Sequence, residues 1–143
     1  MAIIVIAILI LAGLSLKTKP QSDTKNLTIS NKVTLEVTVA NTDKTRTKGY
    51  SNHPEINYNE GLLFVFDQPD RYPFWMKDML FDLDFIFIKD KRVVYLLENI
   101  RAPINNDDQI EYAISPKPFD QLLEVRAGFI EKYQIEINDS LSF

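Results

Sequence analysis

"LDFIFIKDKRVVYLLENI", residues 83–100, is the stretch that decides the fold. Two runs of β-branched and aromatic residues flank the charged tetrapeptide "KDKR". Such side chains suit a pleated, half-buried surface, and a short polar break between them marks a chain reversal. The stretch reads as a β-hairpin turning at Asp90 and Lys91.

Working outward, "KVTLEVTVA" (32–40) alternates Val33, Leu35, Val37 and Val39 with Thr34, Glu36 and Thr38, the pattern of a half-buried antiparallel strand. "GLLFVF" (61–66) is apolar throughout and predicts a strand covered on both faces. "DQPDRYP" (67–73) holds two prolines and predicts a turn, with "FWMKDML" (74–80) as the next strand. Downstream, "RAPINNDDQIEYAISPKPFD" (101–120) is a long loop with a short strand about 110–114. "QLLEVRAG" (121–128) is a strand ending at Gly128. "FIEKYQI" (129–135) predicts one or two helical turns, and "INDSLSF" (137–143) a turn and a last short strand. "TDKTRTKG" (42–49) predicts a short helix capped by Thr42 and ended by Gly49, with Lys44, Arg46 and Lys48 on its solvated face. Many short strands joined by long turns make residues 27–143 one mainly-β domain, a small sandwich- or barrel-like antiparallel fold with one or two short helices.

Residues 2–16, "AIIVIAILILAGLSL", carry no charge. At 15 residues the run falls short of the roughly 20 that span a bilayer, and suits a signal-peptide core or short anchor. With no small-x-small cleavage site after it, residues 1–16 read as an uncleaved N-terminal membrane anchor, and residues 17–26 as a polar linker. Lys17 and Lys19 would hold that flank in the cytoplasm by the positive-inside rule. Export is nonetheless the favoured orientation, with a membrane-anchored, extracytoplasmic domain.

Composition narrows the partners. The formal charge of −4 gives no electrostatic basis for nucleic-acid binding. The absence of cysteine excludes disulfides, thiolate metal sites and cysteine nucleophiles. One histidine, His53, is too few for an ordinary zinc site, and "NNDD" (105–108) lacks the spacing of a calcium loop. No metal or cofactor is expected.

Two separated pieces resemble a known family. Phe74-Trp75-Met76-Lys77-Asp78 is followed by Leu83-Asp84, and Leu123-Glu124-Val125-x-Ala127-Gly128 stands downstream. This arrangement resembles the bacterial and archaeal family called domain of unknown function 192, over about Val33 to Phe143. The resemblance implies a mainly-β, sandwich- or barrel-like fold, often behind an export or anchor segment, and implies no activity. The chain departs from the family where Gly-Leu-Met-x-Arg is usual: here "GYSNH" (49–53) lacks the Arg and puts Tyr50 in the apolar slot.

Strand alternation within the family segment suggests a site. It sets Trp75 and Lys77 on one face and places Asp84 among Ile86 and Ile88. A buried carboxylate needs a partner, and Lys77 is the first candidate, with Glu124 and Arg126 able to join. Trp75 as a stacking platform, with Lys77, Asp84 and Glu124 as polar contacts, suits a sugar or another small polar ligand. Tyr112 and Phe119 would form its rim or, equally, pin the long loop to the sheet. The reading favoured on these grounds is a non-catalytic envelope binding or accessory module. A small hydrolase- or lyase-like enzyme using Asp84 and Glu124, and an adaptor for an envelope protein, are the alternatives. Against all three stands a bland account, in which Trp75 and Met76 are core and Asp84 with Lys77 only joins two strands.

Overall fold

The computed structural model describes residues 23–105 and 112–143. The apolar run 2–16, the linker up to residue 22 and residues 106–108 of "NNDD" lie outside them. Among the described residues no helix is long and apolar enough to cross a membrane.

The hairpin forms as expected. Strands β5 (Leu83–Lys89) and β6 (Arg92–Ile100) pair antiparallel, with Lys89 opposite Arg92. Asp90 and Lys91 make the two-residue turn, both left-handed at φ 52° and 59°. That backbone twist matches the twist of the paired strands. The other strands are β1 (Thr24–Ile29), β2 (Val33–Ala40), β3 (Glu60–Asp70), β4 (Phe74–Trp75), β7 (Tyr112–Ala113), β8 (Phe119–Arg126) and β9 (Leu141–Ser142). Seven join in one sheet, in the order β6-β5-β8-β3-β2-β1-β9, while β4 and β7 form a separate two-stranded sheet. Two short helices complete the fold, α1 (Asp43–Lys48) and α2 (Phe129–Tyr133).

The large sheet curls until its edges meet. Beyond β6 the pairing continues by an isolated bridge from Arg92 to Ser140, next to β9. Val93 N–H donates to Asp139 O at 2.9 Å, and Leu141 N–H to Lys91 O at 2.9 Å. The result is a barrel-like sheet with an inner core of Leu27, Ile29, Leu35, Val37, Leu63, Ile86, Ile88, Leu123 and Val125, sealed by Phe129 and Ile130 of α2. The opposite face of β3, β8 and β5 carries a second core, where Phe64, Phe85, Phe87, Phe119 and Leu122 pack under β4, β7 and the long connections. β5 is buried on both faces, which is why its sequence is so evenly apolar.

Three local expectations are corrected. β2 is antiparallel to β1 but parallel to β3, because residues 41–59 cross over through α1 instead of turning in a hairpin. β3 runs on through residues 67–70. It carries Pro69 where the pairing with β8 shifts register between Val65 and Asp70, so no ladder bond is lost there. The strand expected over residues 74–80 stops at Trp75. Met79 N–H bonds back to Met76 O at 3.2 Å, Asp78 is left-handed at φ 58°, and both methionines are buried. Asn52 N–H and Ser51 Oγ hold this turn by donating to the carbonyls of Asp78 and Lys77.

Candidate functional site: an aromatic cavity over a buried carboxyl

Asp84 and Glu124 are the two buried carboxyls on neighbouring strands, each at most 5% exposed. Register decides where each points. Asp84 pairs with Val125 and faces the inner core; Glu124 pairs with Phe85 and with Leu62 and faces the second core. They stand on opposite sides of one sheet, so the structure does not bring Asp84 and Glu124 to one site.

Asp84 has its partner, but it is not Lys77. β6 sets two residues, Glu98 and Asn99, opposite Asp84 in a β-bulge, and Asn99 is left-handed at φ 54°. Asn99 N–H donates to Asp84 Oδ1 at 2.8 Å, and Ile130 N–H donates to Oδ2 at 2.9 Å. Helix α2 has Gly128 as its N-cap, whose φ of 83° favours glycine and whose lack of a side chain leaves the helix without a cap of its own. Asp84 supplies that cap from a distant strand. Lys77 is exposed on the 76–79 turn, because the strand alternation that would have aimed it at Asp84 ends at Trp75. Arg126 is taken by Glu55 at 2.9 Å and lies over the Tyr58 ring.

Glu124 has no such partner. Its Oε2 is buried and makes no hydrogen bond with any described residue. Burial alone pushes its pKa up to about 8, so at neutral pH it is mostly protonated. Beside it opens a cavity of about 370 Å³. Phe64 and Phe66 of β3 form one wall, and Tyr72, Phe74 and Trp75 another. Tyr50 and Tyr112 complete the ring of aromatics. Phe66 stacks on Tyr72 with centroids 3.9 Å apart, Phe64 meets Phe74 edge-on at 5.1 Å, and Trp75 meets its strand partner Tyr112 at 6.5 Å. Trp75 remains 49% exposed. Burial, then the nearby Glu124 and Glu60, raise the Tyr50 phenol well above its usual range and keep it neutral.

Arg46 belongs to this cavity rather than to a solvated helix face. Its guanidinium donates to Val65 O at 2.8 Å, pairs with Asp43 at 2.7 Å and sits 5.3 Å from the Phe66 ring centre. The cap on α1 that aims it is the one expected, Thr42, whose Oγ1 accepts from Thr45 N–H. The structure thus brings Trp75 and Glu124 to one site and leaves Lys77 and Asp84 outside it. Sequence reasoning missed Tyr50, Phe64, Phe66, Tyr72, Phe74 and Arg46. The one available signal was the density of aromatics between residues 64 and 75. Tyr112 lines the cavity as expected, while Phe119 is fully buried beneath it, against Phe66 and Phe74.

His53 donates from Nδ1 to Pro54 O at 2.6 Å and packs on Tyr50. Among the described residues no three His, Cys, Asp or Glu side chains are placed to hold a metal ion.

The fold and cavity define a class: a small curled-sheet β domain with an aromatic pocket on its outer face. The family model DUF192, an uncharacterized ACR family, matches residues 25–143, and the chain belongs to that family. Two solved structures are similar in fold. One is a protein from Sinorhizobium meliloti 1021 described as a proposed transcription regulator, at 22% identity and a TM-score of 0.76, covering 87% of this chain and 96% of that one. The other is a protein of unknown function from Novosphingobium aromaticivorans DSM 12444, at 24% identity and a TM-score of 0.72, covering 84% and 85%. No curated protein matches the chain.

Proposed function

We propose that this domain is a non-catalytic binding module that takes one small ligand in the aromatic cavity beside Glu124. One observation carries the reading. A carboxyl with an unpartnered, buried oxygen lies on the wall of a preformed cavity. An unmet buried polar group costs a few kcal/mol, and a ligand that supplies the missing hydrogen bond offsets that cost. The cavity volume falls in the range of small-molecule sites, and aromatic walls with few polar groups are their usual lining. Trp75, half exposed at the mouth, serves as the stacking surface. The apolar run 2–16 supports a membrane-anchored setting, and the extracytoplasmic side is part of the proposal. A second reading, an adaptor for a protein partner, draws on the exposed Trp75, Tyr112 and Ile114 along and just beyond the β4–β7 pair.

A thermal-shift screen of small aromatic, amine and polyol fragments tests the first reading, with Trp75→Ala and Glu124→Gln beside the wild type. A fragment at about 100 times its Kd should stabilise the wild type by roughly 2.7 kcal/mol, a shift of several degrees. Both variants should fold and lose most of the shift. A wild type that no fragment stabilises would contradict the small-ligand reading and favour the protein partner.

A further inference from the structure

We propose that the ligand is an organic cation: an amidinium, guanidinium or ammonium head seated on Glu124, with an apolar body held among the rings. The inference rests on the small-ligand reading above and narrows it.

The polar contents of the cavity point this way. Glu124 is buried between Leu62 and Phe85, and its Oε2 receives no donor from the described residues. The positive group nearest in role, Arg46, is already held by Asp43 and the Val65 carbonyl at the α1 side, and Lys48 is exposed. Among the described residues no cation offsets the burial of Glu124. An anionic ligand would have to draw its counter-charge from Arg46, which Asp43 and the Val65 carbonyl already hold. A sugar would bring several hydroxyls against the rings of Phe64, Phe66, Phe74 and Trp75, and their partners would have to come from the α1 side chains, Ser51, the tyrosines and Glu124. A cation gains on both counts. It forms a charge-assisted hydrogen bond with the carboxylate, and the ring faces attract positive charge. The sugar expected from the sequence fits this chemistry less well.

Seating a cation also ionises Glu124. The groups around it are Tyr50 after α1, Glu60 at the start of β3, and Asp43, Arg46 and Lys48 of α1. Tyr50 stays neutral and Arg46 is paired, so Glu124 is the group whose proton leaves. Below a pH of about 8, uptake of a permanent cation therefore releases a proton from Glu124.

The test is calorimetric titration of the full chain with benzamidine, a cation throughout, and with benzamide, its neutral isostere. Titrations at about pH 6.5 in two buffers of different ionisation enthalpy count the protons released. Benzamidine should bind about 10-fold or more tighter than benzamide and release close to one proton. Glu124→Gln should bring benzamidine down to the level of benzamide. The proton count in the wild type decides the matter even if that variant folds poorly. Benzamide binding as tightly as benzamidine, or benzamidine binding without proton release, overturns the cation assignment and leaves the small-ligand reading standing. Binding of neither compound also overturns the assignment, and the fragment screen then judges the small-ligand reading separately.

Discussion

Asp84 and Glu124 sit one strand apart and equally buried, yet the protein treats them oppositely. Asp84 accepts two backbone N–H bonds, while Glu124 leaves one oxygen without any. Substitution should therefore move stability in opposite directions. Asp84→Ala strips the cap from α2 and the pin from the bulge, and should cost about 3 kcal/mol or more by urea unfolding. Glu124→Gln should stabilise, and only at the right pH. The folded carboxyl keeps its proton up to about pH 8, whereas the unfolded one loses it near 4.5. Across that window the folded state binds more protons, so wild-type stability falls as pH rises, by roughly 3 kcal/mol at pH 7. The variant lacks this slope. It should match the wild type near pH 4.5 and exceed it by about 3 kcal/mol at pH 7, and equal curves at both pH values would count against the buried, unmet carboxyl. The sequence showed that Asp84 would be buried and need a partner, because Ile86 and Ile88 share its face. It did not show which partner, since backbone N–H groups of a bulge and a helix start leave no side-chain signal.

At the scale of elements, the hairpin was legible because its two apolar runs and its polar break all point to one structure. Its turn is still imperfect. Lys91 holds a left-handed backbone at φ 59°, which a side chain resists. Lys91→Gly keeps the carbonyl that accepts from Leu141 and should raise stability by about 0.5–1 kcal/mol, read as a higher urea midpoint at unchanged slope. Residues 74–80 were less legible. The run is rich enough in apolar residues to look like a strand, but the left-handed Asp78 and the Met79–Met76 bond turn it back. That one reversal separates Lys77 from Asp84. The direction of β3 was hidden as well, because parallel and antiparallel strands share the same alternation and only the crossover through α1 distinguishes them.

The whole molecule closes through its last residues. Lys32, beside the β1–β2 turn, donates to Asp139 at 2.8 Å, to Glu136 at 3.1 Å and to Gln134 O at 2.6 Å, while Ser30 Oγ donates to Asp139 at 2.9 Å. This cluster fixes the segment that bridges β6 to β9. Burial tends to raise the Asp139 pKa, but the bonds from Lys32, Glu136 N–H and Ser30 outweigh it and hold the carboxyl below its usual range. A depressed acid stabilises above its unfolded pKa, and that stability is lost as pH falls through the folded value. Asp139 thus penalises strong acid and Glu124 penalises neutral pH. The wild-type optimum should lie in the mildly acidic range between the two, and Asp139→Asn should lose stability at pH 7 while flattening the acid limb of the curve. The cavity itself was not legible from local pattern, since its walls come from α1, β3, β4, β7 and β8, brought together only by the curl of the sheet. Trp75 gives direct access to it. It is the sole tryptophan of the chain and stands at the mouth, so its emission reports on that one place. Titrating the protein with the fragments that raise its melting temperature should change Trp75 emission along a saturating, single-site curve, with the midpoint shifted to higher concentration in Glu124→Gln. A change that is linear, absent or indifferent to Glu124 would contradict the claim that this cavity is the protein's binding site.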